Sequence, residues 1–303
     1  MYYFYKEAIT VNRQFKSRQE HAILNNSQDN FIASFKQKYP YKKTEIHNED
    51  WYYLDAGRTD NPILVLLHGG FSDAYFYFHQ IPEFEKTFRV IVPTIPQGMD
   101  KLDKIIESLK DLLLAITKQS TPIVLLGISF GGIICQIFLQ KYPEMINSIV
   151  LSHTGVPQNW QKMRFSIMYY VYSILPYFII KGLAKKIAVN TDVVSTSKWI
   201  TLNTQYFSDL AENYVTKPLF LARMRAIIDF KNYELDPYII NEWKGSILVI
   251  ASEDDRLMDQ VPLFKSYYKD AKIHVFPKRK GGHHTNLYFP EEYNKVVMNF
   301  LAE

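Results

Sequence analysis

The stretch Ile123-Val124-Leu125-Leu126-Gly127-Ile128-Ser129-Phe130-Gly131-Gly132 decides how this chain is read. Four apolar residues in a row suit a strand buried on both faces. They run into Gly-x-Ser-x-Gly, and a helical pattern follows through Ile133–Gln140, ending before Pro143. A serine between two such elements sits on a sharp strand-to-helix turn that holds its Oγ out at the top of a sheet. Its neighbours must be small because strand and helix approach closely there. A glycine-rich turn can also cradle a phosphate at a helix N-terminus. The spacing and the strand-then-helix context favour the first reading and make Ser129 the candidate nucleophile.

Outward from this turn, short apolar runs alternate with helical patterns. Trp51–Leu54, Ile63–Leu67, Phe88–Val92, Ser148–Ser152, Ser246–Ala251 and Lys272–Phe276 read as strands. Residues 100–118 repeat apolar side chains at i, i+3 and i+4, and residues 291–302 read as a final helix. Such alternation predicts an α/β fold, a doubly wound and mostly parallel sheet with helices on both faces. The rhythm breaks between about Gly155 and Trp243, where aromatic-rich helical patterns carry no clear strand. An insertion there would form a helical cap (155–243) over the strand ends, where open α/β sheets bind ligands. The core is then residues 50–154 and 244–303. Residues 1–49 read as an N-terminal extension packed on it.

Composition narrows the classes. The 303 residues are 47% hydrophobic and 22% charged, enough for one large α/β domain with an insertion. The net charge of +4, with no dense Lys/Arg stripe, argues against a nucleic-acid partner. A single cysteine, Cys135, excludes an intramolecular disulfide and a thiolate metal site. The start, MYYFYKEAIT, lacks a basic segment followed by an apolar one and a cleavage site, so a cytoplasmic protein is expected. Phe165 to Ile180 holds 16 residues without charge, between Arg164 and Lys181. That is short of the roughly 20 apolar residues a membrane span needs, and Pro176 interrupts it. The expectation is no membrane span but a buried or pocket-lining helix. Oligomeric state cannot be read from these features.

A nucleophilic serine needs three supports. Donors must face the oxygen that becomes negative in acyl transfer. One would be the backbone N–H of Phe130, the residue after the nucleophile. The second would come from His68-Gly69-Gly70-Phe71, which ends the run Ile63–Leu67. Gly70 is the first choice and Phe71 the alternative register, against a plain tight turn. An acid must orient the base, and Glu253, Asp254 and Asp255 all follow the strand at 246–251. A base must follow both in the order Ser…Asp…His, which leaves His283 and His284. His274 lies within an apparent strand, and His68 reads as a structural loop histidine. Arg223 and Arg225 could bind a substrate carboxylate or could be ordinary surface arginines.

Taken together, HGG (68–70), GISFG (127–131), SEDD (252–255) and GGHHTNLYFPEEY (281–293) resemble the α/β-hydrolase superfamily over about residues 50–303. Similar members carry Gly-Glu-x-Asp after the late strand, the last Asp being catalytic. Ser252-Glu253-Asp254-Asp255 matches with Ser for Gly, so the resemblance implies Asp255. Members also carry Gly-His with Pro seven residues on. Gly282-His283 with Pro290 fits, which implies His283 as base and His284 as its neighbour. The loop PTIPQGMDK after Val92 departs from the usual Asp-x-x-Gly-x-Gly-x-Ser. The stretch FSIMYYVYSILPYFIIKGLAKK in the cap resembles maspardin-like members, some of which are thought to act as binding partners. The resemblance implies a carboxylesterase-like serine hydrolase. It would cleave an ester or related acyl bond of a small, apolar or aromatic substrate, with no metal or organic cofactor. The alternatives are an acyltransferase, thioesterase or lyase using the same triad, or a non-catalytic partner-binding protein on this scaffold.

Overall fold

In a strand buried on both faces, neighbouring side chains point to opposite sides of the sheet, so both sides must be apolar. The computed structural model, which describes residues 31–117, 122–158, 162–188, 197–231 and 233–303, shows this directly. Val65, Leu67, Leu125, Ile149, Leu151 and Val249 point into a core beneath the helices Leu102–Thr117 and Phe130–Lys141. Leu64, Leu66, Leu126, Val150, Leu248 and Ile250 point into a second core with Phe78, Phe84, Tyr293 and Val297. Strands Ile63–Leu67 (β3) and Ile123–Ile128 (β5) are buried along their whole lengths, hence their unbroken apolar sequence.

The eight strands are β1 (Lys42–Ile46), β2 (Glu49–Ala56), β3, β4 (Arg89–Thr94), β5, β6 (Ile146–Ser152), β7 (Ser246–Ser252) and β8 (Lys272–Phe276). They lie in the order β1-β2-β4-β3-β5-β6-β7-β8. β1 pairs with β2, and β2 with β4, antiparallel; every other pairing is parallel. The doubly wound, mostly parallel sheet expected from the sequence is present. It begins earlier than the apolar rhythm suggested, because β1 lies within the first 49 residues. Residues 1–30, most of the expected N-terminal extension, lie outside the described residues.

Between β6 and β7 the described residues form helices and no strand. These are Lys162–Ile174, Tyr177–Ala188, Ile200–Asp209, Lys217–Phe230 and Pro237–Glu242. Phe165, Met168, Tyr169 and Tyr172 pack around Ile180, Phe220 and Met224, and the cluster reaches Phe71 of the β3 loop. Of the expected buried or pocket-lining helix near Phe165–Ile180, the buried alternative needs correction; only Ile180 at its end is buried. No residue of Lys162–Ile174 is buried. From Phe165 onward the helix carries no charge, but it has a layer to pack against on one side only, so its outer side chains face solvent. Among the described residues no helix is long and apolar enough to cross a membrane.

Candidate active site

The turn after β5 carries the strain expected of it. Ser129 has φ 54° and ψ −112°, a left-handed conformation that costs a non-glycine residue on the order of 1–3 kcal/mol. Hydrogen bonds on both sides hold it there. Its N–H donates to the carbonyl of Ser152 at 3.0 Å, and its own carbonyl accepts Thr154 Oγ1 at 2.7 Å and the Gly132 N–H at 3.0 Å. The flanking glycines are required by space. A Cβ on Gly131 would stand 1.9 Å from the Leu67 carbonyl oxygen, and one on Gly127 would stand 2.3 Å from that of Gly131.

The same close approach brings the β3 loop beside the serine. A Cβ on Gly70 would lie 3.5 Å from Phe130 Cβ, and one on Gly69 would lie 3.9 Å from Ser129 Cβ. Phe130 opens the helix Phe130–Lys141, so its N–H has no acceptor within the helix. The Gly70 and Phe71 amides have no protein acceptor among the described residues. The Phe71 side chain stacks on Phe220 of the helix Lys217–Phe230, ring centres 5.0 Å apart. His68 fixes the loop. It is fully buried, and burial pushes its imidazole down to about 3. Neutral, it donates from Nδ1 to the Gly69 carbonyl at 2.7 Å and accepts the Ile95 N–H on Nε2 at 3.2 Å.

The three acids after β7 separate by their partners. Glu253 accepts the Lys278 amide at 3.2 Å and Asp254 the Arg279 amide at 2.7 Å, so both turn toward the loop after β8. Asp255 turns inward, its side chain 1% exposed, and takes Nδ1–H of His283 at 3.0 and 3.1 Å on its two oxygens. Burial alone would raise the Asp255 carboxyl. The His283 hydrogen bond and charge overcome burial and hold it at about 2. The histidines separate as well. His284 turns its ring to Phe207 at 4.8 Å, and its Nδ1 is buried without a partner. Burial drives it well below the usual imidazole range.

One side chain at the site, His153, is not among the residues expected from the sequence. His153 directly follows β6. It is buried, with φ 46°, and its ring lies 6.0 Å from that of His283. It links Ser152 Oγ to Ser252 Oγ, each at 2.9 Å, and Ser252 continues to Thr285 at 2.8 Å. Thr285 Oγ1 then donates to the Gly282 carbonyl at 3.1 Å. This chain ties the ends of β6 and β7 to the loop that carries His283. Its serine at 252 stands where similar members have glycine, the one sequence signal for it.

Arg223 was weighed as a surface or carboxylate-binding arginine, and it is neither exposed nor paired with an acid. It is fully buried and donates to the carbonyls of Met99, Ile95 and Pro96 at 2.8, 2.9 and 3.1 Å. Its guanidinium lies 5.5 Å over the Phe130 ring, and burial lowers it to about 10. It braces the loop after β4 against Phe130 and the Gly70 turn. Arg225 is exposed and pairs with Asp100 at 2.8 Å. An open cleft of about 720 Å³ beside Glu45, Asp50, Tyr52, Pro96 and Tyr214 holds none of these site residues.

Residues 62–287 match the family model described as alpha/beta hydrolase fold. The chain belongs to this family. It is 31% identical over 111 residues to epoxide hydrolase 4 of Mus musculus, covering 33% of this chain and 30% of that relative. It is 33% identical over 123 residues to a proline iminopeptidase of Lactobacillus helveticus, covering 35% of this chain and 40% of that one. Each match thus spans well under half the relative's length. An enol-lactonase from Burkholderia xenovorans superimposes with a TM-score of 0.70 at 14% identity, over 86% of this chain and 100% of that one. A hydrolase from Pseudomonas aeruginosa reaches 0.72 at 17% identity, over 87% and 99%. At these identities the two structures share the fold.

Proposed function

We propose that the protein is a serine hydrolase that cleaves an ester or related acyl bond of a small, apolar or aromatic substrate. Ser129 Oγ attacks the acyl carbon while His283 Nε2 takes its proton. Asp255 holds the imidazole with Nδ1 protonated, which leaves Nε2 free to accept, and stabilises the imidazolium that forms. The amides of Phe130 and Gly70, with Phe71 as the alternative second donor, stabilise the oxyanion; one such donor is worth about 3–4 kcal/mol of barrier. His283 returns its proton to the leaving group. Water, deprotonated by His283, then releases the acyl group from Ser129. The scheme requires no metal or organic cofactor.

The observation that carries this reading is the bidentate approach of Asp255 to His283 Nδ1, which selects the tautomer the reaction needs. The strained Ser129 supports it, since such strain concentrates at working sites. Beside the β3 loop, Phe71 packs on the buried Phe220 and Met224, which makes this side of the site apolar.

The test is turnover of p-nitrophenyl esters varied in acyl length and ring content, with Ser129→Ala as control. Activity on apolar or aromatic acyl groups that Ser129→Ala abolishes is the expected result. Activity unchanged in Ser129→Ala, or none on any ester or thioester, would overturn it. Products carrying an added alcohol in place of water would reassign the same residues to an acyltransferase.

A further inference from the structure

Large apolar side chains are seldom exposed in contiguous groups on a soluble protein, and such a group marks a contact surface. Among the described residues ten large hydrophobic side chains are exposed, and seven of them fall between 163 and 178. Met163, Ile167, Tyr170, Ile174 and Phe178 are 56–81% exposed. Within the helix Lys162–Ile174 the spacing 163, 167, 170, 174 traces one stripe. The opposite stripe, Phe165, Met168, Tyr169 and Tyr172, is already used by the cap cluster. The outer stripe therefore has no packing partner among the described residues.

Charge indicates what covers it. From 162 to 188 the sequence contains Lys162, Arg164, Lys181, Lys185 and Lys186 and no acid, so this segment alone exceeds the chain's net charge of +4. Lys162 and Arg164 are exposed at one end of the stripe, while Lys181 pairs with Glu212 of the neighbouring cap turn. A second copy docked face to face would bring like charge against like charge. An anionic lipid surface supplies both the apolar layer and the opposite charge. Tyr170 and Tyr177 suit it too, because tyrosine favours the boundary between acyl chains and headgroups. The helix has 13 residues, about 20 Å, so it lies along the surface and does not span it.

We propose that the outer stripe of the helix Lys162–Ile174, with Phe178, docks the protein reversibly onto an anionic lipid surface. The inference goes beyond the acyl chemistry of Ser129 and stands independently of it. Full-length protein is sedimented with vesicles of phosphatidylcholine alone and of phosphatidylcholine mixed with phosphatidylglycerol, at low and high salt. Binding to the mixed vesicles that weakens with salt is the expected result. Ile167→Glu/Ile174→Glu should lose that binding with an unchanged melting temperature. Lys162→Gln and Arg164→Gln should each weaken it roughly fivefold. No sedimentation with either vesicle, or equal binding by the glutamate variant, overturns the proposal. So does a dimer in gel filtration that the glutamate variant converts to monomer, which gives the stripe to a second copy.

Discussion

Replacing Gly131 by alanine tests the link between fold and site. The added Cβ would stand 1.9 Å from the Leu67 carbonyl oxygen, 2.5 Å from its carbon and 3.0 Å from the His68 oxygen. Ordinary contact begins near 3.4 Å, so the helix Phe130–Lys141 must back away from β3 by roughly 1.5 Å. Both neighbours are backbone, and neither can rotate aside. Overpacking usually costs about 1–3 kcal/mol, and a backbone clash belongs at the upper end, near 3 kcal/mol. For a chain of 303 residues, with an unfolding entropy of about 2.1 cal/mol/K per residue, that lowers the melting temperature by roughly 5 °C. The retreat also carries the Phe130 amide away from the Gly70 loop. Losing one oxyanion donor costs about 10²–10³ in kcat, and that is the expected loss at temperatures where the variant is folded. Thermal melts followed by circular dichroism and ester turnover measure the two effects. A melting temperature within about 2 °C of wild type, with turnover within threefold, would refute the reasoning that this contact sets the site.

Further outcomes follow from the same contacts. In Asp255→Asn the amide NH₂ faces His283 Nδ1 and forces the wrong tautomer, so kcat/KM for an ester should fall about 10⁴-fold; a loss under tenfold contradicts Asp255 as the orienting acid. His68 and His153 are buried at about 3, below the usual 6.5. The unfolded chain therefore binds protons that the folded chain refuses between pH 6.5 and 3, and stability falls as pH drops through that window. Each histidine contributes a loss of about 1.4 kcal/mol between pH 7.5 and 5.5. Urea midpoints should drop accordingly, and His153→Gln should flatten the slope; a flat profile for wild type contradicts the buried neutral rings. Asp255, held at about 2 against the usual 3.8, acts lower: its contribution is present above 3.8 and is lost as pH falls through 2.

The parallel core was legible because β3, β5, β6 and β7 are buried on both faces and so read as apolar runs. The turn at Ser129 was legible because Gly127 and Gly131 answer backbone clashes. β1 was not. It is an edge strand of sequence KKTEI with little buried surface, and it turns into β2 through His47 and Asn48 at φ 51° and 60°. That is a tight hairpin without the glycine that usually announces one. For the acids the residue types alone left three candidates. What separates them is long-range: the amides of Lys278 and Arg279 take Glu253 and Asp254, and His283 takes Asp255. Arg223 was misread because its surface look in sequence hides three carbonyl acceptors more than 120 residues away. The helix Lys162–Ile174 was half legible. Its apolar content was plain, but periodicity cannot say that only one side would find a partner.

The central claim is that Ser129 is an activated nucleophile. Treating the protein with a fluorophosphonate probe and mapping the adduct by mass spectrometry tests it most directly. The account predicts a single covalent adduct on the peptide containing Ser129, absent from Ser129→Ala and strongly slowed in Asp255→Asn. No adduct on the folded wild type, or equal labelling of Ser129→Ala, would contradict it.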